Sequence, residues 1–181
     1  MKTLNQYINE KLQISSKSKV NPKIIVNTEG DLKREILKKL MDKNSDFTDI
    51  DISKLSTLEY AFDEQDITEI DVTGWDVSRV KSMKCMFHNC RYLKKIIGLD
   101  TWDVSNCEDF SFMFSGCKNL KDVGDLHLWN INQKQRMTSA FSDCERLQTI
   151  GDVSNWRPST PNWDIFYRCA IPHKLLPPQS V

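Results

Sequence analysis

A repeat of 25 to 27 residues constrains this 181-residue chain more than any other feature of its sequence. Its clearest mark is a phenylalanine that recurs at intervals of 25, 27, 27 and 25 residues, at Phe62, Phe87, Phe114, Phe141 and Phe166. Four of these are followed three residues later by a cysteine, at Cys90, Cys117, Cys144 and Cys169. One copy of such a repeat cannot bury its apolar side chains alone, so successive copies have to stack.

Other positions keep their chemical character from copy to copy. Tryptophan precedes three of the phenylalanines by 12 residues, at Trp75, Trp102 and Trp129. The terminal copies are less regular, since Gln65 replaces the cysteine of the first copy and Pro158 and Pro161 interrupt the last. Irregular terminal copies are expected where the ends of a stack face water. The pattern predicts an α/β repeat fold, a short leucine-rich-repeat-like solenoid of four to five coils with an N-terminal helical cap.

Within one copy the apolar residues suggest two kinds of local structure. Met83, Met86 and Phe87 recur at offsets of three and four residues, which favours one or two helical turns. The segment after Cys90 carries an apolar residue at every third position, which favours a tight extended coil. The Trp-Asp-Val-Ser segment that begins at Trp75 supplies residues that cap a following helix.

The chain divides into four predicted parts: an N-terminal tail or docking segment at residues 1–20, a cap at 21–46, the solenoid at 47–172 and a C-terminal tail at 173–181. The cap contains a short strand at 22–26 and a helix at 31–43 with one apolar stripe. Residues 1–20 contain an amphipathic pattern, with apolar side chains at Leu4, Tyr7, Ile8 and Leu12. This segment is either part of the cap or an address tag that docks the chain in a larger assembly.

Composition excludes several classes of protein. Lys plus Arg equals Asp plus Glu, 25 against 25, which removes the general case for nucleic-acid binding. No apolar run is long enough for a membrane span, which needs about 18 residues. Polar residues occupy the place of a signal-peptide core, so we expect an intracellular, cytoplasmic protein with reduced cysteines.

The cysteines and aspartates that could bind a metal ion or take part in catalysis are better explained by structural roles. The cysteine position is expected to hold a small buried side chain, because no close cysteine pair suits zinc. Asp76 and Asp103 follow tryptophans, and turn formation accounts for them more simply than calcium binding does. His88, His127 and His173 share no repeat position, and we expect His88 to face outward. The sequence contains no catalytic or nucleotide-binding motif, so neither an enzyme nor a cofactor is predicted.

The repeat units resemble those of a known family. The residues that carry the resemblance are Trp75-Asp76-Val77-Ser78 with Met83, Met86, Phe87 and Cys90, and Trp102-Asp103-Val104-Ser105 with Met113, Phe114, Gly116 and Cys117. They are similar to the BspA-like leucine-rich repeats of bacterial surface proteins, which also occur in mycoplasma and phage proteins. The resemblance covers residues 47–169 and implies a leucine-rich-repeat solenoid used for adhesion or binding.

The expected function is a non-enzymatic module that presents an extended surface to a protein partner. The candidate surface consists of charged residues outside the repeated positions: Arg79, Lys81, Lys84, Arg91, Lys94, Lys95, Glu108, Asp109, Lys118 and Lys121. Their charge reverses from one copy to the next, which favours a specific protein over a uniform polyanion. The alternative is a structural or virion-associated phage protein that docks through its N-terminal segment.

Overall fold

The computed structural model describes residues 23–172 and 176. Regular secondary structure is sparse in this part of the chain. Its elements are strand β1 (Ile24–Ile25), helix α1 (Glu29–Met41), strands β2 (Ile50–Asp51), β3 (Glu69–Asp71) and β4 (Lys95–Ile97), a 3₁₀ helix (Leu99–Thr101) and helix α2 (Asn162–Ile165). β1 pairs in parallel with β2, and β3 pairs in parallel with β4, where Ile70 lies opposite Ile96. Paired residues are therefore about one repeat apart.

Helix α1 begins at a capping box and packs on the first copy. The Thr28 side chain accepts a hydrogen bond from the Asp31 backbone, and the Asp31 carboxylate accepts one from the Thr28 backbone. Leu32 and Ile36 are buried, and the Lys39 ammonium lies 2.8 Å from Asp49 Oδ1. The helix lies two residues earlier than the predicted 31–43 at both ends. The predicted tail at 1–20 lies outside the described residues.

The expected helical turn is wrong in the first four copies, where consecutive β-turns occupy that segment, whereas helix α2 forms one turn there in the last copy. In the second copy Met86 N–H donates to Met83 O and Cys90 N–H donates to Phe87 O. The third residue of each turn, Cys85 or Asn89, has a φ of 55°, as type II turns require. Such turns place apolar residues three and four apart, which is the spacing that a helix also produces.

The same pair of turns surrounds the phenylalanine in every full copy. Left-handed residues stand two before and two after each of four phenylalanines, at Tyr60 and Glu64, Cys85 and Asn89, Phe112 and Gly116, and Ser139 and Asp143. Only one of these eight is a glycine. A Cβ at Gly116 would lie 2.4 Å from Asn89 Oδ1, so this position also requires a close approach between copies.

Backbone hydrogen bonds join each copy to the next at these turns. Phe62, Phe87, Phe114 and Phe141 each donate their N–H to the residue before the next phenylalanine, at distances of 2.8, 2.9, 2.8 and 2.8 Å. The backbone groups that a turn leaves unpaired therefore find partners in the neighbouring copy, and buried backbone groups need such partners. This bonding holds the left-handed residues of adjacent copies in register.

Equivalent aromatic side chains stack on one another along the molecule. From Phe62 to Phe166, the centroids of successive phenylalanine rings are 5.3, 5.5, 4.9 and 5.4 Å apart. From Trp75 to Trp156, the centroids of successive indole rings are 6.4, 6.5 and 6.5 Å apart. Phe62 also stacks on Trp75, so the two series belong to one core. The stacking of equivalent phenylalanines that the repeat predicts is therefore confirmed.

The repeated cysteine has a role beyond its small size. Cys90, Cys117 and Cys144 are fully buried free thiols. Their sulfur atoms donate to the carbonyls of Phe62, Phe87 and Phe114, at 2.9, 3.0 and 3.2 Å. Each thiol thus ties one copy to the phenylalanine turn of the copy before it, and a purely apolar side chain would lose this bond.

Candidate functional site

The ten residues of the predicted surface do not form one cluster. They occupy three groups of repeat positions: Lys81, Glu108 and Asp109 before the phenylalanine, Arg91 and Lys118 four residues after it, and Lys94, Lys95 and Lys121 further on, with Arg79 and Lys84 separate from these groups. Eight of the ten are exposed, and Lys84 is half-buried. The tenth, Asp109, is buried and lies 2.9 Å from Arg136 Nη2, so its prediction as a surface residue is wrong.

The reversal of charge between copies has a cause inside the chain. Lys118 lies 3.2 Å from Glu145, its equivalent in the next copy. Lys81 with Glu108 and Lys95 with Asp122 form two longer pairs of the same kind, each at 3.9 Å. These pairs are exposed and add little to stability. They nevertheless avoid like charges in adjacent copies, so the alternation is not by itself a mark of a partner.

A different surface varies more from copy to copy. We call it the turn face, and it consists of the residues two before and one after each phenylalanine: Tyr60, Cys85, Phe112, Ser139 and Asp164, with Asp63, His88, Ser115, Ser142 and Tyr167. Backbone bonds from Tyr60 to Lys84, from Cys85 to Ser111 and from Phe112 to Thr138 keep its rows aligned. The backbone is thus alike in these copies while most of the side chains differ, Ser115 and Ser142 being the exception. Cys85 and Ser142 are buried, and the other eight residues are half-buried or exposed.

Neighbouring copies contact one another through side chains of the turn face. The Tyr60 hydroxyl is hydrogen-bonded to the Cys85 thiol. His88 Nδ1 lies 2.9 Å from Asp63 Oδ1, so the histidine is half-buried rather than fully outward as expected. Ser139 Oγ donates to Asp164 Oδ1 at 2.9 Å. These contacts fix the orientation of the side chains at the surface.

The thiol on the turn face does not have the properties of a nucleophile. Burial raises the pKa of the Cys85 thiol above its ordinary value. A catalytic cysteine needs the opposite shift, because the thiolate is the reactive form. The hydrogen-bond partner of the thiol is Tyr60, and the imidazole of His88 is held by Asp63. The arrangement favours a structural contact.

Aromatic residues stand at both ends of the turn face. Tyr60 is 39% exposed in the first copy, and Tyr167 is 57% exposed in the last. Trp163, four residues before Tyr167 and next to the turn face, is 72% exposed. Sequence reasoning missed both residues of the last copy. Their signal was available, since Glu59, Lys84, Ser111 and Thr138 occupy the position of Trp163 in the other copies.

The aspartates after the tryptophans form turns, as predicted. The Ser78 hydroxyl and backbone N–H donate to Asp76 Oδ1 at 2.7 and 3.1 Å, and Ser105 N–H donates to Asp103 Oδ1 at 3.1 Å. Hydrogen bonds from the serine side chain and backbone lower the pKa of each carboxyl. No helix follows these residues, so their expected role as helix caps is wrong. Among residues 23–172 and 176, no group of three or more potential ligands suits a metal ion.

The described part of the chain contains no helix that is long and apolar enough to cross a membrane.

Comparison with known proteins gives one match. No curated protein and no solved structure is significantly similar to the chain. A family model described as "Mycoplasma protein of unknown function, DUF285" matches residues 32–161, which include α1 from Leu32 onward and most of the repeat copies. The chain therefore belongs to this family of unknown function.

Proposed function

We propose that the chain is a non-enzymatic interaction module, a short leucine-rich-repeat-like solenoid that presents its turn face to a protein partner. The observation that carries the proposal is the contrast between a turn backbone shared by the first four copies and turn-face side chains that mostly change from copy to copy. Repeat proteins bind through outward positions that vary on a constant frame. Kinship with the BspA-like repeats of surface proteins is part of the same proposal and agrees with membership of the family.

The residues at the ends of the turn face suit a protein partner. Tyrosine and tryptophan dominate the binding energy of many protein interfaces, because they bury large areas at a small cost in conformational entropy. Tyr60, Trp163 and Tyr167 are exposed aromatics of this kind. Serines occupy the middle of the face at Ser115 and Ser139, both half-buried, which leaves room for side chains of a partner.

The test is cross-linking and affinity purification from the native source, using the full chain as bait. Trp163→Ala and Tyr167→Ala should remove the captured protein, and cross-links should map to the turn face. Leu128→Ala is the matched control, because Leu128 is 64% exposed but lies next to the tryptophan position. Capture that survives both aromatic substitutions, or that Leu128→Ala removes equally, would contradict the proposed surface.

The alternative, a virion-associated protein docked through residues 1–20, has its own test. Deletion of residues 1–20 should leave capture through the turn face unchanged if the first proposal holds. Loss of both capture and incorporation into a larger assembly would favour docking through the N-terminal segment instead.

A further inference from the structure

Exposed apolar side chains are concentrated in the elements that precede the first repeat copy. Ile25 in β1 is 56% exposed, and Leu37 and Met41 in α1 are 52% and 84% exposed. Leu37 and Met41 are one helical turn apart, on the side of α1 away from the buried Leu32 and Ile36. The helix is therefore apolar on two sides, and only one of them packs on the repeat copies.

The outer side of α1 is concave. Leu37, Met41 and Gly30 line a depression of about 550 Å³, together with Lys33, Arg34, Lys38 and Asp42. A Cβ at Gly30 would meet only Thr28 Oγ1, at 3.7 Å, so the missing side chain leaves the floor of the depression open. A small residue beside two apolar ones is the arrangement that lets a second helix approach closely.

The N-terminal segment of the same chain has apolar residues that match the depression on α1. Residues 1–22 lie outside the described part, and they join it at Lys23, six residues before α1 begins. Their apolar side chains at Leu4, Tyr7, Ile8 and Leu12 have the spacing of one helical face. We propose that this N-terminal segment docks on the outer side of α1 and covers Leu37 and Met41. The proposal is independent of the function proposed for the turn face.

The geometry allows this contact within one chain. Residues 13–22 span up to about 33 Å when extended, and the 13 residues of α1 extend over about 20 Å. Residues 1–12 can therefore reach any point on the outer side of α1. A tethered segment also has an effective concentration of about millimolar, which favours it over a separate partner.

The charged residues around the depression do not favour a separate, acidic binding partner. Arg34 pairs with Asp31, and Lys38 lies 3.7 Å from Glu35. The Lys33 ammonium lies 5.9 Å from the centre of the Tyr60 ring. Since each of these cations has a partner nearby, the apolar floor is what the site offers. Residues 1–12 carry Lys2, Glu10 and Lys11, so their apolar positions, and not their net positive charge, make the proposed contact.

Photo-cross-linking in the full-length protein tests the proposal. Tyr7 is replaced by benzoylphenylalanine, which reacts readily with methionine, and the product is mapped by mass spectrometry. We expect a cross-link to the peptide that contains Met41. Benzoylphenylalanine at Gln6, on the opposite helical face, is the matched control and should not give this product. Mixing isotope-labelled and unlabelled protein separates links within one chain from links between two copies.

A substitution in the depression completes the test. Leu37→Glu should abolish the cross-link from position 7, whereas Leu128→Glu, at an exposed leucine elsewhere, should leave it unchanged. Leu37 is exposed, so both variants should unfold at the temperature of the parent protein. The proposal is overturned by equal yields from positions 6 and 7, by no link to α1, or by links only between two copies, which would make a second chain the occupant.

Discussion

The phenylalanines of the repeat are buried alike except at the last copy. Phe62 contacts the rings of Phe47, Trp75 and Phe87 and has no exposed surface, although it belongs to the irregular first copy. Phe166 keeps one ring neighbour and is 7% exposed. Burial therefore depends on neighbours along the stack, and not on how regular the sequence of a copy is.

The loss of stability when one of these rings is removed should increase with the burial of the ring. Phe62→Ala and Phe114→Ala should each lower the free energy of unfolding by about 3–5 kcal/mol, as buried phenylalanine truncations do. Phe166→Ala should cost less, because among the described residues only Phe141 stacks on its ring. The sequence alone predicts a smaller cost at Phe62, and the structure removes the reason for that difference. Urea unfolding of the three variants measures these costs, and a cheap Phe62→Ala would contradict the ring contacts.

The tryptophan series contains a natural comparison between paired and unpaired donors. Trp129 Nε1 donates to Leu99 O at 3.0 Å, and Trp75 Nε1 donates to Phe47 O at 2.9 Å. Within the part of the chain that the structure describes, Trp102 Nε1 and Trp156 Nε1 are buried and have no hydrogen-bond partner. An unpaired buried donor costs free energy, whereas a paired one contributes to stability.

Replacing tryptophan by phenylalanine isolates that difference. Trp129→Phe and Trp102→Phe remove similar volumes from buried positions, but only the first loses a hydrogen bond. Trp129→Phe should therefore destabilise the protein by about 1–3 kcal/mol more than Trp102→Phe. The midpoints and slopes of urea unfolding measure the difference. Equal costs for the two substitutions would show that the indole hydrogen bond of Trp129 contributes nothing.

The buried thiols make stability depend on pH in the alkaline range. Burial raises the pKa of both Cys90 and Cys107 to about 12. An unfolded thiol ionises near pH 8.5, so above that pH the unfolded state binds fewer protons than the folded state. Stability is full below pH 8.5 and falls between 8.5 and 12, by about 1.4 kcal/mol per pH unit for each of the two thiols.

Unfolding in urea between pH 8 and 10, under reducing conditions, measures this fall. Cys90→Ala should reduce the slope by the share of one thiol, which separates thiol ionisation from the titration of lysines. A slope that is the same in the parent protein and in Cys90→Ala would contradict the burial of this thiol.

At the scale of elements, α1 depends on its first turn. The capping box of Thr28 and Asp31 satisfies two backbone N–H groups, and the carboxylates of Glu29 and Asp31 lie at the positive end of the helix dipole. Hydrogen bonds from Arg34 and Thr28 lower the pKa of the Asp31 carboxyl, which therefore stays ionised at neutral pH. The start of the helix is thus defined by side chains, and its end by Lys38 and Lys39.

Thr28→Ala should destabilise the protein by about 1 kcal/mol, the usual cost of a lost N-cap. Thermal unfolding followed by circular dichroism measures it. Thr138→Ala is the control, because Thr138 is exposed and its side chain makes no hydrogen bond with the described residues. If the two variants unfold at the same temperature, α1 does not need its cap.

Sequence could predict α1 because an apolar stripe and charged ends are specific for a helix. It could not separate the turns of each copy from a helix, since both place Met83, Met86 and Phe87 on one side. The left-handed residues two before each phenylalanine gave no signal either, because tyrosine, cysteine, phenylalanine and serine replace glycine there. The later copies have two more residues than the first between the phenylalanine and the next tryptophan, and the 3₁₀ helix Leu99–Thr101 lies in that segment.

For the whole molecule, the repeat period predicted which residues stack, but it did not predict which surface varies most from copy to copy. The period aligns the buried positions, and burial is what kept them similar. The predicted charged surface instead followed the alternation of charge, which pairs such as Lys118 with Glu145 explain within the chain. Spacings of 27 residues between opposite charges, as in Lys118 and Glu145, indicate contacts between adjacent copies and not a surface for a partner.

The account rests on equivalent side chains lying next to each other along one axis, and proton NMR tests this most directly. In protein with labelled phenylalanine, assigned by single substitutions, nuclear Overhauser effects should connect Phe87 with Phe114 and Phe114 with Phe141, whose rings are 5.5 and 4.9 Å apart. Phe87 and Phe141 are two copies apart and should show none. Absent effects between neighbours, or an effect between Phe87 and Phe141, would contradict the stack.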